Sequence, residues 1–521
     1  MNHKQGILFL LISVFLIAFF TSHATLSTDP PARYLEAKAL VDRGSFQIEP
    51  IPHEPLPPGI IPGKNGELYS YFGKGQSVIF AAPYFVCSKI FRIGSDKHIR
   101  SVISLTVFPV FLALIAITLY GCLREFNFSP GQAYLAATLA VFATGLWQLS
   151  KEGQEGVHLA FFFILCAYGL RRYQNTASLK ALSWSAAAMS CAFLTRSDTA
   201  PTFASFFFLA GYLILSGNQR NGKELNISTH RLKAMSLLCG ILALAPAVHC
   251  TINMTLFGHP ISGYDNMAHF AWSRLPTGLN GLLFSPGRSV FLYNPILLLV
   301  IPGLVIMWKQ HRPWLLFIVI GFTGCLFLHA AYSVFHGNCC WGPRYLIRHI
   351  PLLFIPVTFC LAQFKLISPI RRTAVASLVL LSLAVQFAAV SLHHNRELLQ
   401  LATAYDSDWS DREWTMVEPE SRFLEIRLTN LKNSVSDMAC DRIEPWPSDP
   451  DHLLTREKQL SAPALNYLAF WPYHLTYYLP SVKPQWAIPL WASSLILAGG
   501  IAFGLILMRK GWLVSNRKIY P

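Results

Sequence analysis

The ionisable residues of this chain collect where its apolar runs begin or end. Asp29, in TDPPARYLEAKALVDRGSF, follows the first apolar run. A carboxylate held there can take a proton from an attacking hydroxyl or amine as a general base. Equally, it caps the helix that Pro30 and Pro31 open, or is simply solvated. Arg33 and Glu36 lie three residues apart on that helix and read as a surface pair or as part of a site. Lys74, in GKGQ, is a snorkelling lysine or a contact to a lipid phosphate. Glu155, in SKEGQEGVHLAFFF, opens an apolar run. The helix dipole alone favours an acid at that position, and a catalytic role would use the same placement; Glu152 is a second acid in the stretch. Arg196, in AFLTRSDTAP, closes another run and either pairs with Asp198 or clamps a phosphate. Arg288, in FSPGRS, and Arg344, in CCWGPRYL, are further arginines at run ends, read as anion ligands or as local structure. His259 and His269 share a loop at a separation that matches no metal-ligand spacing, so no metal site is predicted.

The elements that must position these groups are membrane helices. Of 521 residues, 53% are hydrophobic and only 13% charged, with a mean hydropathy of +0.39. Soluble domains carry about a quarter charged residues. Apolar runs long enough to cross about 30 Å of hydrocarbon recur along the chain. The net charge of +15 resides in short basic loops between those runs, as the positive-inside rule requires. No basic stripe interleaved with aromatics is present, which argues against nucleic acid as a partner. Most of the 11 cysteines lie in apolar runs (Cys166, Cys191, Cys239, Cys325, Cys360), where they act as small hydrophobes. Cys339, Cys340 and Cys440 fall in loops placed outside, where one disulfide among them is open, and there is no CxxC pair.

Two readings of the apolar stretch Ser77–Phe91 reverse the orientation of everything after it. Taken as a surface or re-entrant helix, it leaves the clusters around Arg171, Arg231, Lys309, Arg371 and Arg509 on the inside; taken as a span, it leaves them all outside. The charge bias decides for the first. The predicted spans are then 6–22, 101–121, 130–149, 156–170, 180–196, 199–216, 234–254, 289–308, 314–332, 345–363, 373–391 and 487–508, with both termini cytoplasmic. The first run is read as a retained span, the alternative being a signal peptide cleaved near Ser22 and Ala24. A short amphipathic helix over Pro31–Asp42 is expected to lie on the membrane surface. Residues 392–486 form a long outer loop rich in proline and acids, including Asp406, Asp408, Asp411 and Glu413; residues 487–521 form the last helix and tail. No internal repeat is visible, which weakens a transporter built on inverted halves.

In order, these stretches resemble the GT-C superfamily of integral-membrane glycosyltransferases, in the branch of protein O-mannosyltransferases and the bacterial lipid A aminoarabinose transferase. TDPPARYLEAKALVDRGSF is similar to the first-loop motif of that branch, with its catalytic acid at Asp29 and an Arg-Tyr pair at Arg33 and Tyr34. GELYSYFGKGQSVIFAAPYF resembles the loop ending in a basic residue, here Lys74. QEGVHLAFFF is similar to the second-loop acid, here Glu155, and AFLTRSD to the helix end whose basic residue, here Arg196, meets the donor phosphate. NMTLFGHPISGYDN, GLLFSPGRSVFLYNPILLL and WGPRYLIRHIPLL resemble the second half of bacterial members and carry Arg288 and Arg344. The pattern departs in the two prolines after Asp29 and in Gly156, where a proline is common.

The resemblance covers residues 1–391. It implies an all-α polytopic catalytic domain over that range: a GT-C-like bundle of about 12 transmembrane helices, with outer-face juxtamembrane helices in the first loop. It also implies a bacterial inner-membrane location with the active site outside. The implied partners are a polyprenyl-phosphate sugar donor, membrane lipid, and a protein, glycan or lipid acceptor. Asp29 would take the acceptor's proton as the acceptor displaces the lipid phosphate with inversion. Lys74, Arg196 and Arg344 would hold the departing charge. Glu155 would orient the acceptor, or bind a divalent cation if the reaction uses one; no other cofactor is implied. Two competing readings use the same cations: a flippase or transporter of lipid-linked sugars, and a non-catalytic partner in an envelope assembly.

Overall fold

In hydrocarbon every backbone N–H and C=O must bond within its own segment, so long apolar runs become helices. The computed structural model describes residues 3–23, 30–50, 56–216, 227–261, 269–337, 340–364, 366–392, 427–432, 434–435, 468–477 and 488–516. Helix α1 (His3–Thr21) is followed by α2 (Pro30–Arg43). A two-stranded antiparallel hairpin of β1 (Ile60–Pro62) and β2 (Leu68–Ser70) comes next, pairing Ile60 with Ser70. After it come α3 (Gly75–Phe85), α4 (Asp96–Glu125), α5 (Pro130–Phe142), α6 (Leu146–Lys151), α7 (Gly156–Thr176) and α8 (Leu179–Thr195). Then follow α9 (Ala200–Ser216), α10 (Ile227–Phe257), α11 (Leu275–Phe284), α12 (Val290–Tyr293), α13 (Val300–Gln310) and α14 (Arg312–Ala330). The last are α15 (Arg344–Ile347), α16 (Ile350–Ala362), α17 (Pro369–Ser391), α18 (Trp471–Tyr477) and α19 (Leu490–Asn516).

Among the described residues, 7 helical segments are long and apolar enough to cross a membrane: those built on α1, α4, α9, α10, α14, α17 and α19. The chain is therefore a multi-pass integral membrane protein. Each predicted span contains a helix, but three are broken. The expected span 130–149 divides between α5 and α6 because Gly145 donates its N–H to the Asn294 side chain at 2.7 Å. Segment 289–308 breaks at Asn294-Pro295 into α12, a 3-10 turn over Pro295–Leu299, and α13. Segment 345–363 divides into α15 and α16. The stretch Ser77–Phe91 forms α3, 11 residues long, and one π turn over Val86–Ile90. That is short of the roughly 20 residues a crossing helix needs.

Local signals set the boundaries. Ser129 and Gln132 form a reciprocal capping box at the start of α5, with Pro130 in its first turn. Helix α1 packs on α4 and α19; α7 lies between α4 and α8; α9 packs on α14, and α13 on α16. Small residues let these helices approach, as in membrane interfaces generally. A side chain at Gly504 of α19 would come within 2.7 Å of Ile17 on α1, and Tyr134 of α5 donates to the Met508 carbonyl at 3.0 Å. Parts of the chain distant in sequence are tied together beside Lys151. Lys151, buried at the end of α6, donates to the carbonyls of both Val390 and Ala469 and lies 4.8 Å from the Phe470 ring centroid. Ala469 itself donates to Ser391 at 2.8 Å. Arg427 is buried against the same place, with Nη1 reaching the Leu392 carbonyl at 3.0 Å.

Gly303 of α13 meets the Pro356 carbonyl of α16 so closely that a Cβ has no room. Gly303→Ala is expected to destabilise the α13–α16 contact by about 1–3 kcal/mol. A lowered thermal unfolding midpoint of the detergent-purified protein is the readout; an unchanged midpoint would show that the two helices separate freely.

Candidate functional site

The site is assembled from helix ends. Glu155 is the residue before α7, and the turn that delivers it needs Gly153 at φ +74°. Arg196 follows α8 in extended conformation and turns the chain through Ser197–Thr199 into α9. Arg344 opens α15 just after Gly342, which sits at φ +67°. Helix α2 supplies Arg33, which is fully buried, as are Tyr34 and Glu36. The helix expected on the surface is instead buried all round over residues 32–37, where the first loop and neighbouring helices cover it.

Glu155 draws these ends together. One carboxylate oxygen lies 3.2 Å from Arg33 Nη1, and the other accepts from Arg196 Nη1. The Arg33 guanidinium also lies 4.1 Å from the Phe72 ring centroid. Arg196 donates through Nε to Asp198 at 2.7 Å. Arg344 donates to Gln154 at 3.3 Å and to the Tyr345 hydroxyl at 3.2 Å. Arg196 and Arg344 each lie 5.0 Å from the Tyr345 ring centroid. A narrow cleft is lined by Gln154, Glu155, Arg196, Arg344, Tyr345 and Arg348 among others. Four guanidinium groups (Arg33, Arg196, Arg344, Arg348) are gathered around two carboxylates (Glu155, Asp198). Burial alone would raise the Glu155 carboxyl. The charges of Arg33, Arg196 and Arg344 overcome it and hold the group well below the usual carboxylate range.

Of the residues singled out in the sequence, Glu155, Arg33, Arg196 and Arg344 converge. Arg33 pairs with Glu155, while Glu36 takes Lys74 and accepts from Ser77 at 2.6 Å. Lys74 reaches this region because Gly73 and Gly75 press on Thr195, the residue before Arg196; a Cβ on Gly75 would lie 2.8 Å from the Thr195 Cα. Its ammonium is held by Glu36 and, at 2.6 Å, by the Ser70 carbonyl. Tyr34 stands apart from the cleft: its hydroxyl donates to Asp96 at 2.6 Å and fastens α2 to α4. Arg288 also serves a local structure, donating to the carbonyls of Cys340 and Gly342 and shaping the loop before Arg344. Asp29, Cys339 and Cys440 lie outside the described residues. Among the described residues no group of three or more His, Cys, Asp or Glu side chains is placed to hold a metal.

Arg348, Tyr345, Gln154 and His329 also belong to this site, and two of them carry a signal in the sequence. Arg348 and Arg344 are one helical turn apart in RYLIR, a spacing that shares a face. His329 is an ionisable residue inside an apolar run, which marks function by default. Glu152 differs from its neighbour Glu155. It accepts from Gln148 at 2.8 Å, and burial pushes its carboxyl up to about 7 against the pull of Gln148 and Arg344.

The fold and the cleft define an integral membrane protein with an arginine-rich site at one end of its helix bundle. No protein-family model and no curated protein matches the sequence. Among solved structures, the chain is similar to the archaeal oligosaccharyltransferase AglB from Archaeoglobus fulgidus in complex with an inhibitory peptide and a dolichol-phosphate. The TM-score is 0.43 at 11% sequence identity, over 82% of this chain and 60% of that one. It is similar as well to the apo form of the Archaeoglobus fulgidus oligosaccharyltransferase, with TM-score 0.41 at 11% identity, over 89% of this chain and 60% of that one. The chain matches about three-fifths of the length of these two proteins.

Two neutral substitutions separate the acids. Glu155→Gln takes a carboxylate away from two buried arginines, Arg33 and Arg196, and is expected to cost about 3–5 kcal/mol, read as a lower unfolding midpoint. Because the Glu155 carboxyl is held low in the folded state, its stabilisation is complete above the ordinary carboxylate range and disappears as pH falls below it. Glu155→Gln should therefore flatten the acid limb of the stability profile. Glu152 has the opposite sign. Its contribution is complete below the ordinary carboxylate range and is lost as pH rises towards about 7. Glu152→Gln should fold, and should be more stable than wild type at pH 8.

Proposed function

We propose that this protein is a membrane glycosyltransferase that moves a sugar from a polyprenyl-phosphate donor to an acceptor at the outer face of a bacterial inner membrane. The observation that carries the reading is the convergence of four buried guanidinium groups, those of Arg33, Arg196, Arg344 and Arg348, on one cleft beside Glu155 and Asp198. Cations crowded into a partly dry cleft repel one another, and a phosphate monoester relieves that repulsion. Such a cleft stabilises the charge that grows on a departing lipid phosphate. Arg196 and Arg344 are the groups assigned to that phosphate. Lys74, brought to the end of α8 by the close approach of Gly73 and Gly75 to Thr195, acts by bonding Glu36 and so holding α2 to this loop.

In the proposed reaction Asp29 accepts the proton of the acceptor hydroxyl or amine as that atom attacks the anomeric carbon. The bond to the lipid phosphate breaks on the opposite face, so configuration inverts. Glu155 fixes Arg33 and Arg196 and, through them, the first loop that carries Asp29. The polar groups of the cleft sit at helix ends rather than deep within spans, which favours an interfacial enzyme over a carrier that moves charged cargo through the bundle.

The test uses vesicles containing wild type or Asp29→Asn and a panel of radiolabelled polyprenyl-phosphate sugars. One donor should be consumed by wild type and about 10²–10⁴-fold more slowly by the variant at equal abundance. Equal consumption by the two proteins would remove Asp29 from the mechanism. Movement of a lipid-linked sugar across the bilayer without cleavage would replace the enzyme by a flippase.

A further inference from the structure

Arg348 lies just past α15 with a side chain that is almost wholly buried, and it lines the cleft beside Arg196 and Arg344. Its Nη1 donates to Asp198 Oδ1 at 2.6 Å and its Nη2 to Cys325 Sγ at 2.9 Å. Asp198 uses its second oxygen twice: it accepts from Arg196 Nε at 2.7 Å and from His329 Nε2, which lies 3.0 Å away. A carboxylate only accepts, so all three contacts run toward Asp198. The His329 ring also stacks on Tyr345 with centroids 4.5 Å apart, and Tyr345 lines the cleft. One carboxylate thus fixes two guanidinium groups in a common orientation, with a stacked histidine bracing it from α14.

Resting on the lipid-phosphate reading above, we propose that Arg348 is a further phosphate-binding residue of the cleft and that Asp198 and His329 position it. Arg196 and Arg348, oriented from one carboxylate, form a paired anion clamp, with Arg344 closing it across the Tyr345 ring. Guanidinium geometry matters here. A planar fork can hold Asp198 and Cys325 on one edge and keep further N–H donors for phosphate oxygens, whereas an ammonium cannot span both partners. Asp198 therefore does more than neutralise Arg196: it couples that arginine to one contributed from a segment 150 residues further along the chain.

The experiment titrates the purified full-length protein with a polyprenyl monophosphate and, as control, with the uncharged polyprenol of the same length. Intrinsic tryptophan fluorescence reports binding. Wild type should prefer the monophosphate. Arg348→Gln should weaken monophosphate binding by about tenfold or more and leave polyprenol binding unchanged. Arg348→Lys should retain only part of the preference. Asp198→Asn should lose at least as much as Arg348→Gln, and adding Arg348→Gln to it should cost little more, because the two act as one unit. His329→Gln, which keeps a donor for Asp198, should stay near wild type. His329→Phe, which keeps the stacking and loses the donor, should follow Asp198→Asn. A wild type with no preference for the monophosphate would overturn the lipid-phosphate reading together with this one. A wild type that prefers it, with Arg348→Gln and Arg348→Lys both unchanged, would overturn the role of Arg348 alone. Should Arg348→Gln fail to fold, Arg348→Lys decides: affinity equal to wild type removes Arg348 from the clamp.

Discussion

The carboxylate of Glu155, shared between Arg33 and Arg196, is the constraint from which the rest of the site follows. A buried acid is tolerated only when its charge is matched, and a buried arginine likewise. Three parts of the chain must therefore arrive together: the first-loop helix α2, the start of α7 and the end of α8. Remove any one and the others are left with charge in a medium that cannot solvate it. That requirement explains why α2 is buried around Arg33, and why α8 ends in an extended residue rather than fraying.

The first loop meets this demand by close backbone approach. Gly73 and Gly75 touch Thr195 where any side chain would collide, and the Glu36–Lys74 pair locks α2 to the same loop. Packing and charge thus act in series. The glycines bring the loop against the end of α8, the ion pair fixes α2 to the loop, and α2 then offers Arg33 to Glu155. Tyr34, with its hydroxyl on Asp96, fastens the far side of the helix to α4. Its neighbour Arg33 works for the cleft while Tyr34 works for the scaffold, though the two are adjacent in sequence.

Much of this is legible in the sequence alone. Hydropathy located the helices because length and apolar content are what a bilayer selects. It could not see the breaks at Gly145 and Asn294, which depend on one side-chain amide meeting a backbone N–H across 149 residues. The helix-end residues Glu155, Arg196 and Arg344 were visible because ionisable groups are rare in such runs. Their partners were not, since pairing is decided by tertiary contact: Arg33 and Glu36 look like a local pair and serve different partners. Arg288 and Tyr34 share residue type and context with true cleft residues, and only geometry separates them. Arg348 was missed because a second arginine one turn from Arg344 reads as redundancy until Asp198 is placed between it and Arg196.

Lys151 carries a different consequence. Leu392, Arg427 and Ala469 are far apart in sequence and converge on a few carbonyls beside one lysine. Bringing residues distant in sequence together has an entropic cost that grows only logarithmically with the number of residues between them. Doubling that number adds about 0.6 kcal/mol. The number of residues between the anchors therefore sets little of the free energy of this junction, which rests on the anchors themselves. Lys151, four residues before Glu155, is the fixed point of that junction, so the same short stretch of chain ties down both the cleft and these distant anchors.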